Sequence, residues 1–401
     1  MENSAPLTRT TALLFAAACG CAVANVYYAQ PLLNTMGKDL HIAPGAVGII
    51  VTITQTGYGL GLLLLLPLGD LLNRRRLIIT QLLLAVAALV LVACAPTPLL
   101  FFAGMATVGL LAVVTQTLVA YAATLAVTAE RGRITGLVTS GVVLGILLAR
   151  TISGTLADIA GWRAVYLFSA ALMLLTAITL FKVLPQEDPG KTAATYPKLL
   201  LSVFRLFAEE PILRVRAMLA MFIFAAFSVL WTSLVLPLSA APYHFSHTTI
   251  GMFGLIGVAG ALGAARAGQL ADRGRGQWTT GIALILLLLS WLPISFTPYS
   301  IWALITGIIL LDLAIQAVHV TNQSMIYNIR PESRNRLVAG YMLCYSVGSG
   351  IGSIAATTTY AHAGWTGVCI LGAAISALGL ISWAVTMPGT AAKVITLLSS
   401  K

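Results

Sequence analysis

Residues 74–94 read Arg74-Arg75-Arg76-Leu77-Ile78-Ile79-Thr80-Gln81-Leu82-Leu83-Leu84-Ala85-Val86-Ala87-Ala88-Leu89-Val90-Leu91-Val92-Ala93-Cys94, three cations followed by 18 residues without a charge. As a helix such a run is about 27 Å long, close to the thickness of a bilayer's hydrocarbon core. The pattern extends along the chain. Of 401 residues, 59% are hydrophobic and only 9% are charged, against roughly a quarter charged in soluble domains. This composition excludes a water-soluble enzyme, a disordered chain and a nucleic-acid-binding domain. The net charge of +11 has to be explained by where the cations lie.

Twelve apolar stretches recur, at 10–33, 45–69, 76–96, 99–127, 134–156, 163–184, 213–238, 249–271, 279–297, 301–327, 337–360 and 367–387. The first is too long for a signal-peptide core and no clear cleavage site follows it, so it reads as a span. Connectors are short apart from the polar stretch 184–214. With both termini inside, 19 of the 23 Lys/Arg fall on the inner side and only Lys38 and Arg163 outside; Arg150 and Arg266 lie within spans. This split follows the positive-inside rule and assigns the basic charge to topology, with no nucleic-acid partner. All five cysteines sit in apolar stretches, which argues against a disulfide framework. Cys19 and Cys21 face different sides of a helix, and no metal site is expected.

The chain repeats itself. Ala160-Gly161-Trp162 recurs as Ala363-Gly364-Trp365, 203 residues on. Asp70, in Leu66-Pro67-Leu68-Gly69-Asp70, matches Asp272 in Gly268-Gln269-Leu270-Ala271-Asp272. Glu130, Arg133 and Gly136 resemble Glu332, Arg336 and Gly340. Six spans per half give both halves one orientation, so the repeat is parallel, an architecture of transporters. The expected fold is all-α integral membrane, with twelve transmembrane helices in two parallel six-helix repeats. Residues 1–184 form the first bundle, 185–212 a cytoplasmic linker and 213–401 the second bundle. Ser202–Glu209 is expected to lie as an interfacial helix.

Along its whole length the chain resembles the major facilitator superfamily, whose loop between spans 2 and 3 reads roughly G-x-L-A-D-R-x-G-R-R. The second half keeps it as Gly268-Gln269-Leu270-Ala271-Asp272-Arg273-Gly274-Arg275; the first half has Leu66, Leu71 and Asn73 at three motif positions. Asn tolerates a left-handed backbone, so the turn is expected to survive at Asn73. Ala24–Leu33, Leu144–Arg150, Leu311–Gln323 and Asn335–Met342 are similar to the drug:proton antiporter type and to one bacterial inner-membrane group within it. In span 5 the antiporter motif G-x-x-x-G-P-x-x-G-G keeps Gly141, Gly145 and Gly154, with Ile146 in place of Pro, and the Arg that many antiporters carry in span 4 is absent from Gly104–Gly109.

Asp312 is the one acidic residue expected deep inside a span, flanked by Ile309-Leu310-Leu311 and Leu313-Ala314-Ile315. Low dielectric favours the protonated carboxyl, and a carboxyl that binds and releases a proton is what a proton-coupled carrier needs. The bland alternative is a neutral, hydrogen-bonded Asp. Gln316, His319 and Gln323 share its helix face. His319 suits a proton relay, although a structural His is equally simple. About 10 Å of helix separates it from Asp312, so Gln316 or water would bridge them. Arg150 reads as the cation nearest a span centre. It would bind an anionic substrate group, pair with Asp312, or snorkel toward Asp158.

The resemblance implies that spans 1, 4, 7 and 10 line a cavity. Asn25, Tyr28, Gln55, Gln116, Tyr121 and Trp231 then suit a mixed apolar and polar ligand, each with helix packing as its plainer role. Asp70, Arg74, Arg75, Asp272 and Arg273 resemble an inner-face gating latch. Gly190-Lys191-Thr192 imitates the end of a P-loop, but Pro185 stands where its first Gly belongs. His244 and His247 are too few for a metal site.

The expected function is a secondary transporter working by alternating access, exporting a drug or sugar-like metabolite against inward proton flow. It needs no cofactor beyond the proton gradient. Its partners are a small-molecule substrate, protons and the lipid bilayer, and it is expected to be a monomer in a bacterial inner membrane with both termini cytoplasmic. A proton-coupled uptake symporter fits the same fold. A membrane enzyme would need a catalytic constellation, and none is found. A non-transporting sensor would need an added domain, for which the linker is too short.

Overall fold

The computed structural model describes residues 9–126, 130–185, 195–327, 329–330 and 333–387. These residues are almost entirely helical. The first half runs α1 (Arg9–Tyr27), α2 (Leu33–Asp39), α3 (Ile49–Leu64), α4 (Arg74–Cys94), α5 (Pro98–Leu111), α6 (Val114–Leu125), α7 (Arg131–Ala160) and α8 (Trp162–Val183). After α9 (Tyr196–Glu209) come α10 (Pro211–Ser233), α11 (Val235–Leu238), α12 (His247–Ile256), α13 (Val258–Leu270), α14 (Gly276–Ser295), α15 (Ile301–Tyr327) and α16 (Arg334–Thr386).

Among the described residues, ten segments are long and apolar enough to cross a membrane. One of them, Arg336–Thr386, has 51 residues, far more than the ~20 a crossing requires. It bends at Gly364, where φ is 59° and ψ −159°, and so makes two spans. The pair α12 and α13 completes the twelve. On α4, Leu82 and Leu89 are buried while Leu83, Leu84 and Leu91 are exposed. A helix that is apolar on both its packed and its open face is built for lipid.

Local chemistry sets the helix ends. Pro98 and Pro211 start α5 and α10, where a missing N–H costs nothing. Asn73 departs from expectation. Its φ is −59°, outside the left-handed region, and its Oδ1 caps α4 by accepting the Arg76 N–H at 3.0 Å. A side-chain oxygen with an orphan N–H in reach gains more as a cap than as a turn. The second half keeps a left-handed turn at Gly274, φ 77°.

Backbone geometry carries the repeat further than the residue names do. Gly161 and Gly364 both have positive φ, as do His41 and His244, and each pair is 203 residues apart. Packing repeats too. A Cβ at Gly145 on α7 would strike the Gly20 carbonyl of α1, and one at Gly348 on α16 would strike the Met221 carbonyl of α10. Close backbone approach in the absence of a side chain is how membrane helices associate.

The chain forms two compact units. One comprises Met1–Ala43, Ile49–Ser202 and Leu238–Leu255; the other comprises Pro44–Gly48, Val203–Pro237 and Ile256–Lys401. Each is one half of the sequence with a short segment exchanged. On α9, Leu199, Val203 and Leu206 are buried while Leu201 and Phe204 are exposed.

Candidate functional site

Among the described residues three charged side chains are buried: Arg150 at 3% exposure, Arg216 at 2% and Asp312 at 6%. A charge inside a span is costly and marks function by default.

Asp312 lies midway along α15. The Trp231 indole Nε1 of α10 donates to its Oδ1 at 3.3 Å. A Cβ at Gly260 of α13 would come within 2.8 Å of the Asp312 carbonyl carbon, so that glycine lets α13 close onto the backbone of α15 at Asp312. Trp231 was expected at the cavity and is found on the acid itself; Tyr28 is its counterpart 203 residues earlier. Gln316 and Gln323 are half-buried. The bridge from Asp312 through Gln316 to His319 is not the bond His319 makes. Its Nδ1 meets the Tyr341 hydroxyl of α16 at 2.8 Å, and its ring stands edge-on to Phe224 at 5.1 Å. The helix stripe gave the common face, whereas a neighbouring helix set the partner.

The first unit holds a second polar cluster. Arg150 donates from Nε to Gln30 Oε1 at 2.7 Å and from Nη1 to the Ile146 carbonyl at 3.4 Å, and its guanidinium lies 5.2 Å from the Tyr27 ring centroid. Snorkelling toward Asp158 is not observed: both oxygens of Asp158 are taken by His247 and Thr248. Nearby, the Ser169 hydroxyl donates to Asn25 Oδ1 at 2.5 Å and also meets the Tyr28 hydroxyl. Gln116 Nε2 donates to the Tyr58 hydroxyl at 3.3 Å, and Gln55 is buried with no hydrogen bond to Oε1 among the described residues. Tyr121 packs against Phe15 at 6.1 Å, with Arg74 5.9 Å from its ring centroid. Gln30, Tyr27, Tyr58 and Ser169 were missed by sequence reading. Tyr58 stood one turn from Gln55, and Tyr27 and Gln30 lay one and two residues from Tyr28; Ser169, in a span with no chosen candidate, carried no such signal.

Arg216 was counted among the inner-side cations and proves to be buried within the second unit. Its Nη1 donates to Thr280 Oγ1 and Asn322 Oδ1, both at 3.1 Å. Asn322 in turn meets Tyr341, so a polar chain links Arg216 to His319.

The side chains of Asp70 and Asp272, and the stretch Gly190–Thr192, lie outside the described residues. Of the expected latch, Arg74 donates to the Gly69 carbonyl at 3.0 Å and to Thr124 Oγ1 at 2.9 Å, and Arg75 to the Phe181 carbonyl at 2.6 Å. Arg273 is exposed. An ionic cluster that sequence reading missed joins Arg330 to Glu209 at 2.9 Å and to Glu210 at 2.7 Å. The hydrogen bond from Arg205, and then the one from Arg330, hold the Glu209 carboxyl below its ordinary range.

The sequence pattern of the Major Facilitator Superfamily matches residues 13–309 and 217–397. The chain is 48% identical over 371 residues to a protein of Escherichia coli K12 described as a putative uncharacterized transporter, YgaY, covering 92% of this chain and 94% of that one. It is 27% identical over 305 residues to the multidrug resistance protein D of the same organism, covering 73% and 74%. Its fold superposes with a TM-score of 0.72 on a bacterial homolog of the human lysosomal transporter Spinster, at 15% identity, covering 94% of this chain and 97% of the other.

Proposed function

The chain belongs to the Major Facilitator Superfamily, and from that premise we propose that this multi-pass membrane transporter is a proton-coupled carrier that exports a small organic molecule by alternating access. The observation that carries the reading is Asp312, a carboxyl buried in α15 against the Trp231 indole. When ionised it accepts that N–H; when protonated it is a neutral group that lipid-depth burial favours. Exchange between the two states, one on each side of the membrane, is the coupling step. Each proton moving inward supplies roughly 2.3 kcal/mol per 100 mV, plus the pH difference. Arg150 with Gln30 and Tyr27, and Asn25 with Ser169 and Tyr28, supply hydrogen-bond donors, acceptors and ring faces for a substrate that is part polar and part apolar. Export is the direction favoured by the likeness to a multidrug resistance protein. The cation distribution supports a bacterial inner-membrane location with both termini in the cytoplasm.

The test is collapse of the pH gradient in energised inside-out vesicles, across a panel of cationic drugs, sugars and amino acids. Asp312→Asn keeps an oxygen for Trp231 and removes the titration. The expected result is substrate-dependent collapse in the wild type and none in the variant, with equal insertion of both. Full proton-driven activity in Asp312→Asn would overturn the assignment.

A further inference from the structure

Asp158 stands on the last turn of α7, three residues before Gly161. Its Oδ1 accepts the His247 backbone N–H at 3.2 Å and pairs with the His247 Nδ1 at 2.7 Å. Its Oδ2 accepts the Thr248 backbone N–H at 2.7 Å and the Thr248 hydroxyl at 2.6 Å. His247 and Thr248 are the first residues of α12, where backbone N–H groups have no acceptor within the helix. A carboxylate 89 residues away in sequence therefore serves as the cap that the helix lacks locally. The other ring nitrogen of His247, Nε2, meets Thr35 Oγ1 of α2 at 2.7 Å. One imidazole thus joins three elements drawn from both halves of the sequence, all inside the same compact unit.

The contact continues along α7. Arg150, Gly154 and Asp158 recur every four residues on one face. A Cβ at Gly154 would strike the His247 carbonyl, and a Cβ at Gly251 would strike the Arg150 carbonyl. Thr151 Oγ1 donates to the Gly251 carbonyl at 3.1 Å. A Cβ at Gly254 would lie 3.2 Å from Arg150 Cβ and 3.3 Å from its Cδ. The helix α12 therefore lies along the stripe from the Asp158 carboxylate to the aliphatic stem of Arg150 and covers it.

We propose that Asp158 is a positioning residue of the transport cycle: it clasps α12 onto α7, and release of the clasp uncovers Arg150 toward the outer side. The proposal rests on the alternating-access reading above. α7 and α12 belong to different halves of the repeat, so a movement of one half against the other must break these bonds. The backbone surfaces meet at glycines, and the hydrogen bonds at the outer end of the contact centre on the Asp158 carboxylate, which holds His247 and Thr248. Both side chains are partly exposed, at 27% and 28%, so water can replace each bond as the clasp opens. A fully buried carboxylate would instead be stranded.

The experiment reads accessibility, and it needs neither substrate nor proton flux. A Thr151→Cys reporter sits beneath α12. It is labelled with a membrane-impermeant maleimide in right-side-out and in inside-out vesicles, and modification of that residue is read by peptide mass, so that the native cysteines stay in place. Asp158→Asn weakens the cap. Gly154→Ala leaves every clasp hydrogen-bonding group present but drives a methyl into the His247 carbonyl. Both are expected to raise labelling from the outer side severalfold without raising it from the inner side. Unchanged outer labelling in both variants overturns the proposal. A rise from both sides also overturns it, since that marks a merely structural residue. Full proton-driven activity in Asp312→Asn, which would overturn the coupling assignment, would leave these outcomes untouched.

Discussion

Arg214 and Arg216 stand two residues apart on α10, about 200° around the helix. Arg214 turns back to the end of α9 and donates to the Phe207 and Ala208 carbonyls at 2.9 and 2.8 Å, a cation on a helix's orphan acceptors. Arg216 turns inward to Thr280 and Asn322. Composition treats the two as equal members of a basic cluster; azimuth separates them. Asn322→Leu removes an acceptor from a buried guanidinium and is expected to cost about 1.5–3 kcal/mol, read as a lower melting temperature in detergent. Arg216→Met added to that variant should recover part of the loss, because the charge that needed the acceptor is gone. A double-mutant cycle showing no coupling between the two sites would rule this out. Asp312 was legible at this scale because it is an acid in a run of Leu and Ile. Its partner Trp231 was legible only as one aromatic among several.

At the scale of elements, α9 is held by its charged end. Arg330 lies outside the spans and grips Glu209 and Glu210, while Arg205 reaches Glu209 from one turn earlier on α9. The bond from Arg205, then the one from Arg330, depress the Glu209 carboxyl below its ordinary 4.5. For a carboxyl depressed by folding, the stabilisation is present above the unfolded value and is lost as pH falls through the folded one. The tie between α9 and residue 330 should therefore hold at neutral pH and loosen only below about pH 4.5. Limited proteolysis at the linker should rise as pH drops through that window. In Arg330→Gln it should already be high at pH 7, and a flat profile in the wild type would contradict the tie. The amphipathic stripe of α9 was visible in the sequence, and the helix begins earlier than expected, at Tyr196. The loop after the second span shows the opposite case: Asn73 has the residue type for a turn, but the neighbouring Arg76 N–H made it a cap.

At the scale of the whole molecule the repeat sets the frame, and the proposed function rests on residues where the repeat breaks. At an offset of 203, Asp312 corresponds to Gly109 and Arg150 to Ser353, so neither buried charge has a charged counterpart in the other half. Tyr28 and Trp231 keep a ring at matched positions, as the left-handed His41 and His244 keep a turn. The proposed orientation predicts that a green fluorescent protein fused after Lys401 fluoresces in the cytoplasm, and that alkaline phosphatase inserted in the loop at His244 is active outside. The reverse pattern would invert the assignment of sides, and with it the outer clasp.

Spans and repeat were determined by the sequence itself, because the partition of a segment between water and lipid depends on its own length and apolarity, and the flanking charge carries the proposed orientation. Twelve spans could be counted without knowing which touched which. Pairing was decided only in the tertiary structure. Arg150 and Gln30 are 120 residues apart, Asp158 and His247 are 89, and Trp231 and Asp312 are 81. Nothing in the local run of residues names such partners, because they are chosen by how helices rotate and pack, and by the glycines that let one backbone rest on another.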